Sequence, residues 1–219
     1  MIQTQRIILS KDVNMSQLER SLRSTSLSDT LSTYDEWANN YNQDVEREGY
    51  IAPKVAAESL VKHFGIQKIS EARILDAGCG TGLVGEALLN LGAKHVDGID
   101  LSPGMLEVAE RTGLYETLRV ANLAEQLEIA SNIHDAVICV GTMTEGHVGP
   151  EALGEFVRIT KPGGIIVCTV RESVWKPKGY QDKVNYLVQS GKAELVSNPE
   201  EHQRIGAGVY AHLVVLQIM

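Results

Sequence analysis

The sequence predicts an α/β fold: a Rossmann-like, doubly wound sheet of seven strands, mostly parallel, with an antiparallel pair at its C-terminal edge. From Tyr34 onward, apolar runs of strand length alternate with helical patterns, which is typical of βα units on a parallel sheet. Two late apolar segments, 193–197 and 209–218, are joined by a polar loop without a helix. Strands joined in this way run antiparallel, so we expect them to form the edge pair.

Apolar spacing and cap residues predict the individual elements. Pro favours the first turn of a helix, Ser caps its start, and Gly marks its end. Strands are predicted at 73–77, 96–100, 117–121, 135–140 and 165–169. Helices are predicted from Pro53 to Gly65, from a glycine-rich turn to Gly92, from Ser102 to Gly113, and from Pro150 to Ile159.

Charge and composition exclude several classes of partner. The 219-residue chain has 20 Lys and Arg against 28 Asp and Glu, a formal charge of -8. Such a molecule repels nucleic acid and anionic lipid surfaces, so we expect neither as a partner. No apolar run approaches the roughly 18 residues of a spanning helix, the start does not read as a secretory signal, and no ligand spacing indicates a metal. Oligomeric state is left open.

The cysteines indicate a reducing compartment. Cys79, Cys139 and Cys168 are odd in number and far apart, and two of them lie inside apolar runs. That pattern suits free thiols in the cytoplasm better than a disulfide framework.

A glycine-rich turn between the first strand and its helix fits two cofactors. Gly80, Gly82 and Gly85 satisfy the dinucleotide pattern G-x-G-x-x-G, and Asp100 follows Gly80 by twenty residues, which favours NAD. The pattern D-x-G-x-G-x-G, read from Asp76, places an acid where the strand gives way to the turn. A carboxylate inside a buried strand is costly, whereas one facing the crevice is compensated by a ligand ammonium.

S-adenosylmethionine is a ligand with that ammonium, together with a ribose and an adenine. Glycines let the backbone approach it, and Asp100 can accept hydrogen bonds from both ribose hydroxyls. Asp100 can do so whichever of the two glycine patterns applies. It therefore indicates a nucleoside-containing cofactor but does not exclude NAD. The position of Asp76 favours S-adenosylmethionine.

Three motifs resemble the class I S-adenosylmethionine-dependent methyltransferases. Leu75–Gly82 resembles the first motif of that family, Gly98–Leu106 the second, and Lys161–Gly164 its usual turn before the fifth strand. The resemblance covers roughly residues 34–219, and 34–41 with these motifs is similar to its small methyltransferase-like members. It implies that residues of these turns hold the cofactor: Asp76, Gly78, Cys79, Gly80, Asp100, Leu101, Met105, Asn122, Leu123 and Val140.

Within that set, the resemblance gives particular roles to the strand ends. Leu101 and Met105 would flank the adenine, and Val140 and Gly141 would present backbone to the methionine end. Asn122 occupies the position of an Asp that receives the adenine amino group in many relatives, with the Leu123 N–H beside it. Asn122 is also a common turn residue, and that alternative stays open.

Three aromatic residues precede the first strand on one helical face. Tyr34, Trp37 and Tyr41 recur at three- and four-residue spacing. They form either a core stripe or a surface closing over the cofactor, with Trp37 and Tyr41 near its sulfonium and carboxylate. We therefore divide the chain into a mobile N-terminal arm (1–30), a helical cofactor lid (31–65) and a catalytic core (66–219).

Two further features lie where the sheet opens onto its crevice. His147 follows the fourth strand and can act as a general base, or simply be a solvated loop residue. The basic and aromatic segment 171–191 is either a substrate lid, whose Arg171 and lysines favour a carboxylate or phosphate, or a surface loop.

The expected function is methyl transfer from S-adenosylmethionine to an unidentified, small-molecule acceptor, mainly by positioning and exclusion of water. Two alternatives remain: a nucleoside-binding module without turnover, acting as an adaptor or sensor, and an NAD-dependent oxidoreductase.

Overall fold

The structure is a computed structural model that describes residues 27–198, 200–204 and 208–219, together with 17, 20 and 21. Most of the predicted arm, 1–30, therefore lies outside the described residues, and its last four residues belong to a helix. The helices are α1 (Leu27–Arg47), α2 (Ala52–Phe64), α3 (Leu83–Asn90), α4 (Pro103–Thr112), α5 (Ala152–Ile159), α6 (Glu172–Trp175) and α7 (Tyr180–Gln189). The strands are β1 (Arg73–Ala77), β2 (His95–Asp100), β3 (Thr117–Val120), β4 (His134–Met143), β5 (Thr160–Arg171), β6 (Ala193–Ser197), β7 (Glu200–Arg204) and β8 (Val209–Ile218).

The strands form one mixed sheet in the order β3-β2-β1-β4-β5-β8-β6, with β7 also paired to β8. Strands β1 to β5 are parallel, and β8 is antiparallel to β5. β6 and β7 pair with opposite ends of β8 along one edge, so together they fill the seventh position. The doubly wound sheet with an antiparallel C-terminal edge is confirmed, but β7 replaces part of the predicted polar loop.

Each face of the sheet carries a hydrophobic core, because alternate residues of a strand point to opposite faces. Leu75 of β1 packs with Phe156 of α5 on one face. Its neighbour Ile74 packs with Leu60 of α2 and Leu88 of α3 on the other. Burial on both faces explains why the central strands read as continuous apolar runs.

Two of the predicted caps bound α4, the helix that follows β2. The Ser102 side chain accepts a hydrogen bond from the Met105 N–H and so starts α4 immediately after β2. Gly113 ends that helix in the left-handed conformation, as glycine tolerates. The strand order changes direction between β1 and β4, and ligands of such sheets bind at that switch point.

Among the described residues, no helix is both long and apolar enough to span a membrane.

Candidate active site

The glycine turn after β1 is fastened to the end of β2. The N–H groups of Gly78 and Cys79 both donate to the Ile99 carbonyl, at 2.7 and 3.0 Å. The Gly80 N–H donates to Asp100 Oδ2 at 2.8 Å. Gly78 has a φ of 77°, and a Cβ there would collide with the Thr142 side chain beyond β4. The turn therefore brings bare backbone to the switch point.

Asp100 closes β2 with both carboxylate oxygens engaged. Its Oδ1 accepts from the Ser102 N–H at 2.9 Å, and Oδ2 accepts from Gly80. Burial raises the pKa of Asp100, and these backbone hydrogen bonds oppose the rise. A carboxylate has about four acceptor sites, more than these donors occupy, so it can still receive a hydroxyl group of a ligand.

Asp76 is fully buried inside the sheet. It lies in register with Gly98 of β2 and Ile138 of β4, so it belongs to the hydrogen-bonded strand and does not line the open crevice as we expected. Its Oδ2 accepts from the Tyr115 hydroxyl at 2.8 Å, and Oδ1 has no partner among the described residues. Burial raises the pKa of Asp76 to about 7, despite the Tyr115 hydrogen bond, and the charge of Asp100 adds to the rise.

The Tyr115 ring packs close to three glycines around this acid. A Cβ on Gly85 would lie 2.6 Å from the ring and hydroxyl of Tyr115, and one on Gly98 would lie 3.0 Å from the ring. A Cβ on Gly82 would lie 3.3 Å from it. Gly82 and Gly85 of the fingerprint thus make room for a tyrosine, whereas Gly78 and Gly80 face the cavity.

Helix α1 crosses the carboxyl edge of the sheet and is fastened on three sides. Asp35 Oδ1 accepts from the Ser102 hydroxyl at 2.5 Å and from the Gly104 N–H at 3.0 Å. The Thr81 hydroxyl donates to Asn42 Oδ1 at 2.5 Å, beside the glycine turn. The Thr30 hydroxyl donates to the Gly146 carbonyl at 3.3 Å, in the loop after β4. The helix therefore roofs the switch point.

Beneath this roof lies a cavity of about 110 Å³, several times the ~10–15 Å³ that one water needs. Ten predicted site residues line it: Tyr41, Gly78, Gly80, Asp100, Leu101, Met105, Asn122, Leu123, Val140 and His147. Gly141, expected beside Val140, and Tyr34, expected on the aromatic face, also line it. Other lining residues were not predicted as site residues: Thr30, Leu31, Ser102, Ala121, Ala124, Thr142 and Val148. Several of them could have been predicted from position alone, because they follow strands β3 and β4 or lie one helical turn before Tyr34.

Three predicted site residues do not line the cavity: Trp37, Asp76 and Cys79. Trp37 is 2% exposed and donates its ring N–H to Asp44 at 2.8 Å, so it belongs to the core stripe. Cys79 points into the protein below the turn, where its Sγ lies beside Gly98. Burial raises the pKa of the Cys79 thiol well above its usual range, so the thiol stays protonated.

Asn122 has the geometry of a turn residue at the cavity wall. Its Oδ1 accepts from the Ala124 N–H at 3.0 Å, and its Nδ2 donates to Glu125 at 2.7 Å. Asn122 therefore does act as a turn residue. This role leaves a second lone pair on Oδ1, so it does not conflict with a contact to adenine.

A larger groove of about 460 Å³ runs along β2, β3 and the segment 121–133. Of the predicted site residues it contains only Asn122. The cavity under α1 is therefore the candidate active site. Among the described residues, no group of three potential ligands is arranged to hold a metal ion.

His147 enters the cavity from the loop after β4. Its Nδ1 lies 2.5 Å from the Glu145 carbonyl oxygen, and its ring meets the Tyr34 ring edge-on at 5.5 Å. A carbonyl only accepts, so Nδ1 carries the proton and Nε2 holds a lone pair. Nε2 is shielded from solvent and has no hydrogen-bond partner among the described residues. Burial lowers the pKa of His147, so the ring is neutral at pH 7.

Glu145 ties this loop to the end of β5. Its carboxylate accepts from Arg171 at 2.9 Å, from Ser173 at 2.5 Å and from Thr144 at 2.6 Å. Burial alone would raise the pKa of Glu145, but these donors outweigh it and lower the pKa to about 2. Lys178 Nζ donates to the Thr144 carbonyl at 3.2 Å.

The segment 171–191 is mostly helical and docks on the core. Trp175 and Tyr180 are buried, and the Tyr180 hydroxyl donates to the Val148 carbonyl. Arg171 is paired with Glu145, and neither it nor Lys178 lines the cavity. The expectation that this segment offers its charges to a substrate carboxylate or phosphate does not match this arrangement.

Comparison with known proteins gives a family match for part of the chain and similar folds for most of it. A family described as methyltransferase domain matches residues 74–164, which contain β1 to β4 and the start of β5. A TehB-like SAM-dependent methyltransferase from Corynebacterium glutamicum shares the fold with a TM-score of 0.62 and 21% identity, over 86% of this chain and 99% of that one. The family match over residues 74–164 and the shared fold agree with the resemblance of the motifs to class I S-adenosylmethionine-dependent methyltransferases.

The chain is also similar to individual curated proteins. It is 40% identical to Methyltransferase-like protein 27 of Homo sapiens over 146 residues, 66% of this chain and 59% of that protein. It is 36% identical to Ubiquinone biosynthesis O-methyltransferase of Xylella fastidiosa over 112 residues, 48% of this chain and 45% of that protein. The first similarity agrees with the expected likeness to small methyltransferase-like proteins. The chain spans less than two thirds of the length of either relative.

Proposed function

We propose that this protein transfers a methyl group from S-adenosylmethionine to a small-molecule acceptor bound under α1. One observation carries the proposal: the glycine turn, Asp100 and His147 meet around a single cavity at the sheet's switch point. Sulfonium-bound methyl is a strong electrophile, and that is the chemistry the cofactor supplies. The chain's task is then to align the acceptor with it and to exclude water.

The residues present fit this cofactor. The unpartnered Oδ1 of Asp76 is an uncompensated acceptor in the core, and a ligand ammonium above the glycine turn would offset its charge. Asp100 would take the ribose hydroxyls, and the bare backbone at Gly78 and Gly80 gives close access. Leu101, Met105, Asn122 and Leu123 would surround the adenine. Tyr41 and Val140 would border the methionine end.

We assign the lid role to helix α1 (Leu27–Arg47) and the catalytic core to 66–219; α2, which the predicted lid 31–65 also includes, packs on the sheet with that core. Holding two reactants in line can contribute roughly 7–11 kcal/mol to lowering the barrier. His147 is the candidate general base, since its Nε2 has a free lone pair beside the cavity.

Several observations favour a small acceptor in the cytoplasm. The cavity is roofed by α1 and is small, which suits a metabolite better than a folded protein. The O-methyltransferase relative is named for ubiquinone biosynthesis, which also favours a small acceptor. The three cysteines are buried and free, as expected for a reducing compartment.

Calorimetry with S-adenosylhomocysteine and with NAD tests the cofactor assignment. We expect micromolar affinity for S-adenosylhomocysteine, none for NAD, and a loss of about 30-fold or more in Asp100→Ala, since a charged hydrogen-bonding group is removed. Glu107→Gln, on the exposed face of α4, is the matched control. Preference for NAD would support the oxidoreductase. Cofactor binding without transfer of labelled methyl to any extract would support the binding module.

A further inference from the structure

The walls of the cavity offer no charge to an acceptor beyond the cofactor site. Among the described lining residues, Asp100 alone has a formal charge, and it belongs to the ribose position. The rest of the wall near His147 is uncharged: Thr30, Leu31, Tyr34, Thr142 and Val148. A carboxylate, phosphate or ammonium on the acceptor would be desolvated there without a counter-charge, which is costly.

The charges nearest to His147 are already satisfied by protein groups. Glu145 is held by Arg171, Ser173 and Thr144. Lys178 is directed to the Thr144 carbonyl. On the α1 side, the neighbour of the imidazole is the uncharged Tyr34. The network therefore fixes the loop, and Nε2 of the imidazole keeps an unused acceptor site.

The fixed tautomer of His147 limits which reacting groups of an acceptor would benefit from this residue. The Glu145 carbonyl holds the proton on Nδ1, so Nε2 can only accept. A carboxylate or a neutral amine attacks through a lone pair that is already free, and it needs no base beforehand. A hydroxyl gains most from a base that removes its proton as the oxygen attacks.

Building on the proposed function, we infer that the acceptor is an uncharged molecule with a weakly acidic hydroxyl, a phenol or an enol, whose proton passes to Nε2 of His147. The acceptor's O–H bond breaks as its oxygen forms a bond to the methyl carbon. The carbon–sulfur bond breaks, and its electron pair stays on sulfur. His147 then releases its proton to solvent, so one proton is released per methyl ether formed.

Three acceptors of similar shape test both the charge of the acceptor and the atom that receives the methyl group. Methyl 3,4-dihydroxybenzoate, 3,4-dihydroxybenzoate and methyl 3,4-diaminobenzoate are compared as acceptors with labelled S-adenosylmethionine. We expect the uncharged diol to be methylated at least tenfold faster than the acid, with no product from the diamine. Equal or faster reaction of the acid or the diamine contradicts the inference.

The same reaction on a metabolite extract gives a result that does not depend on probe shape. Label in uncharged, base-stable methyl ethers supports the inference, whereas label in base-labile methyl esters or in methylamines overturns it. In either case cofactor binding is intact. Absence of S-adenosylhomocysteine binding counts instead against the proposed function.

The role of His147 is tested without turnover by ¹⁵N NMR of the imidazole. We expect a neutral ring with the proton on Nδ1 at pH 7, and a charged ring or a proton on Nε2 would overturn the assignment. In activity, His147→Gln should lower kcat about 100-fold or more and leave cofactor affinity unchanged. His95→Gln is the control, because His95 lies at the end of β2 opposite to Asp100. A kcat within threefold of the unmodified protein contradicts the role.

Discussion

The Tyr115 hydroxyl lies 2.8 Å from Oδ2 of the fully buried Asp76 and donates a hydrogen bond to it. The tyrosine ring fills the space that Gly82, Gly85 and Gly98 leave below the turn. The acid of the first motif is therefore supported from below by a side chain 39 residues further along the chain. Its other oxygen, Oδ1, is buried without a hydrogen-bond partner among the described residues.

Removing the Tyr115 hydroxyl is expected to weaken cofactor binding. In Tyr115→Phe the buried carboxylate loses its donor, which raises the pKa of Asp76 further and depletes the ionised form that attracts an ammonium. A hydrogen bond to a charged group contributes about 1.5–3 kcal/mol, so we expect roughly 10- to 100-fold weaker binding of S-adenosylhomocysteine by calorimetry.

The control for that measurement is Tyr186→Phe, an exposed tyrosine on α7. A second comparison places Tyr115→Phe in an Asp76→Asn background, where the hydroxyl has no carboxylate to support. There its effect on affinity should shrink to a few-fold. An undiminished effect would assign Tyr115 to packing alone.

Asp76 also predicts a pH dependence of stability. Its pKa is about 7 in the folded protein and 3.8 in a model peptide, so the folded state holds more protons between these values. Stability attributable to this group therefore falls as pH rises from about 4 to 7. Thermal unfolding of the cofactor-free protein should show that decline, and Asp76→Asn should lack it and be the more stable variant at pH 8. Parallel curves for the two proteins would contradict this.

Gly85 and Gly154 form a matched pair of helical glycines. A Cβ at Gly85 meets the Tyr115 ring at 2.6 Å, whereas one at Gly154 meets only the flexible end of Lys183 at 3.3 Å. Gly85→Ala should cost about 1–3 kcal/mol through overpacking, while Gly154→Ala should be neutral or gain up to about 1 kcal/mol from helix propensity. Denaturant unfolding measures both, and equal effects would remove Tyr115 as the cause.

The sequence was informative wherever local chemistry decides the structure. Both ends of β1, the Ser102 cap and the turn from Gly78 to Gly80 follow from residue type and spacing. β7 was missed because its sequence, Glu200–Arg204, is charged, as edge strands often are, and it reads as a loop.

Contacts between residues far apart in the sequence could not be predicted at the site. No spacing connects Tyr115 with Asp76: Tyr115 precedes β3, which reaches β1 only across β2. Helical periodicity places Trp37 and Tyr41 on one face, but it cannot say where along that face the cavity begins. Tertiary packing decides that Tyr41 borders the cavity and that Trp37 is buried.

The fastening of α1 by Asp35 leads to a prediction about the lid. One carboxylate oxygen accepts from both the Ser102 hydroxyl and the Gly104 N–H, at the start of the helix that follows Asp100. Asp35→Ala leaves both donors to water and loosens α1 on α4, so the cofactor should dissociate about tenfold faster. Glu46→Ala, an exposed acid on the same helix, is the control. Stopped-flow dissociation of S-adenosylhomocysteine measures the rate, and hydrogen exchange should show faster exchange in 27–47. Unchanged dissociation with faster exchange would mean that α1 moves without gating the cavity.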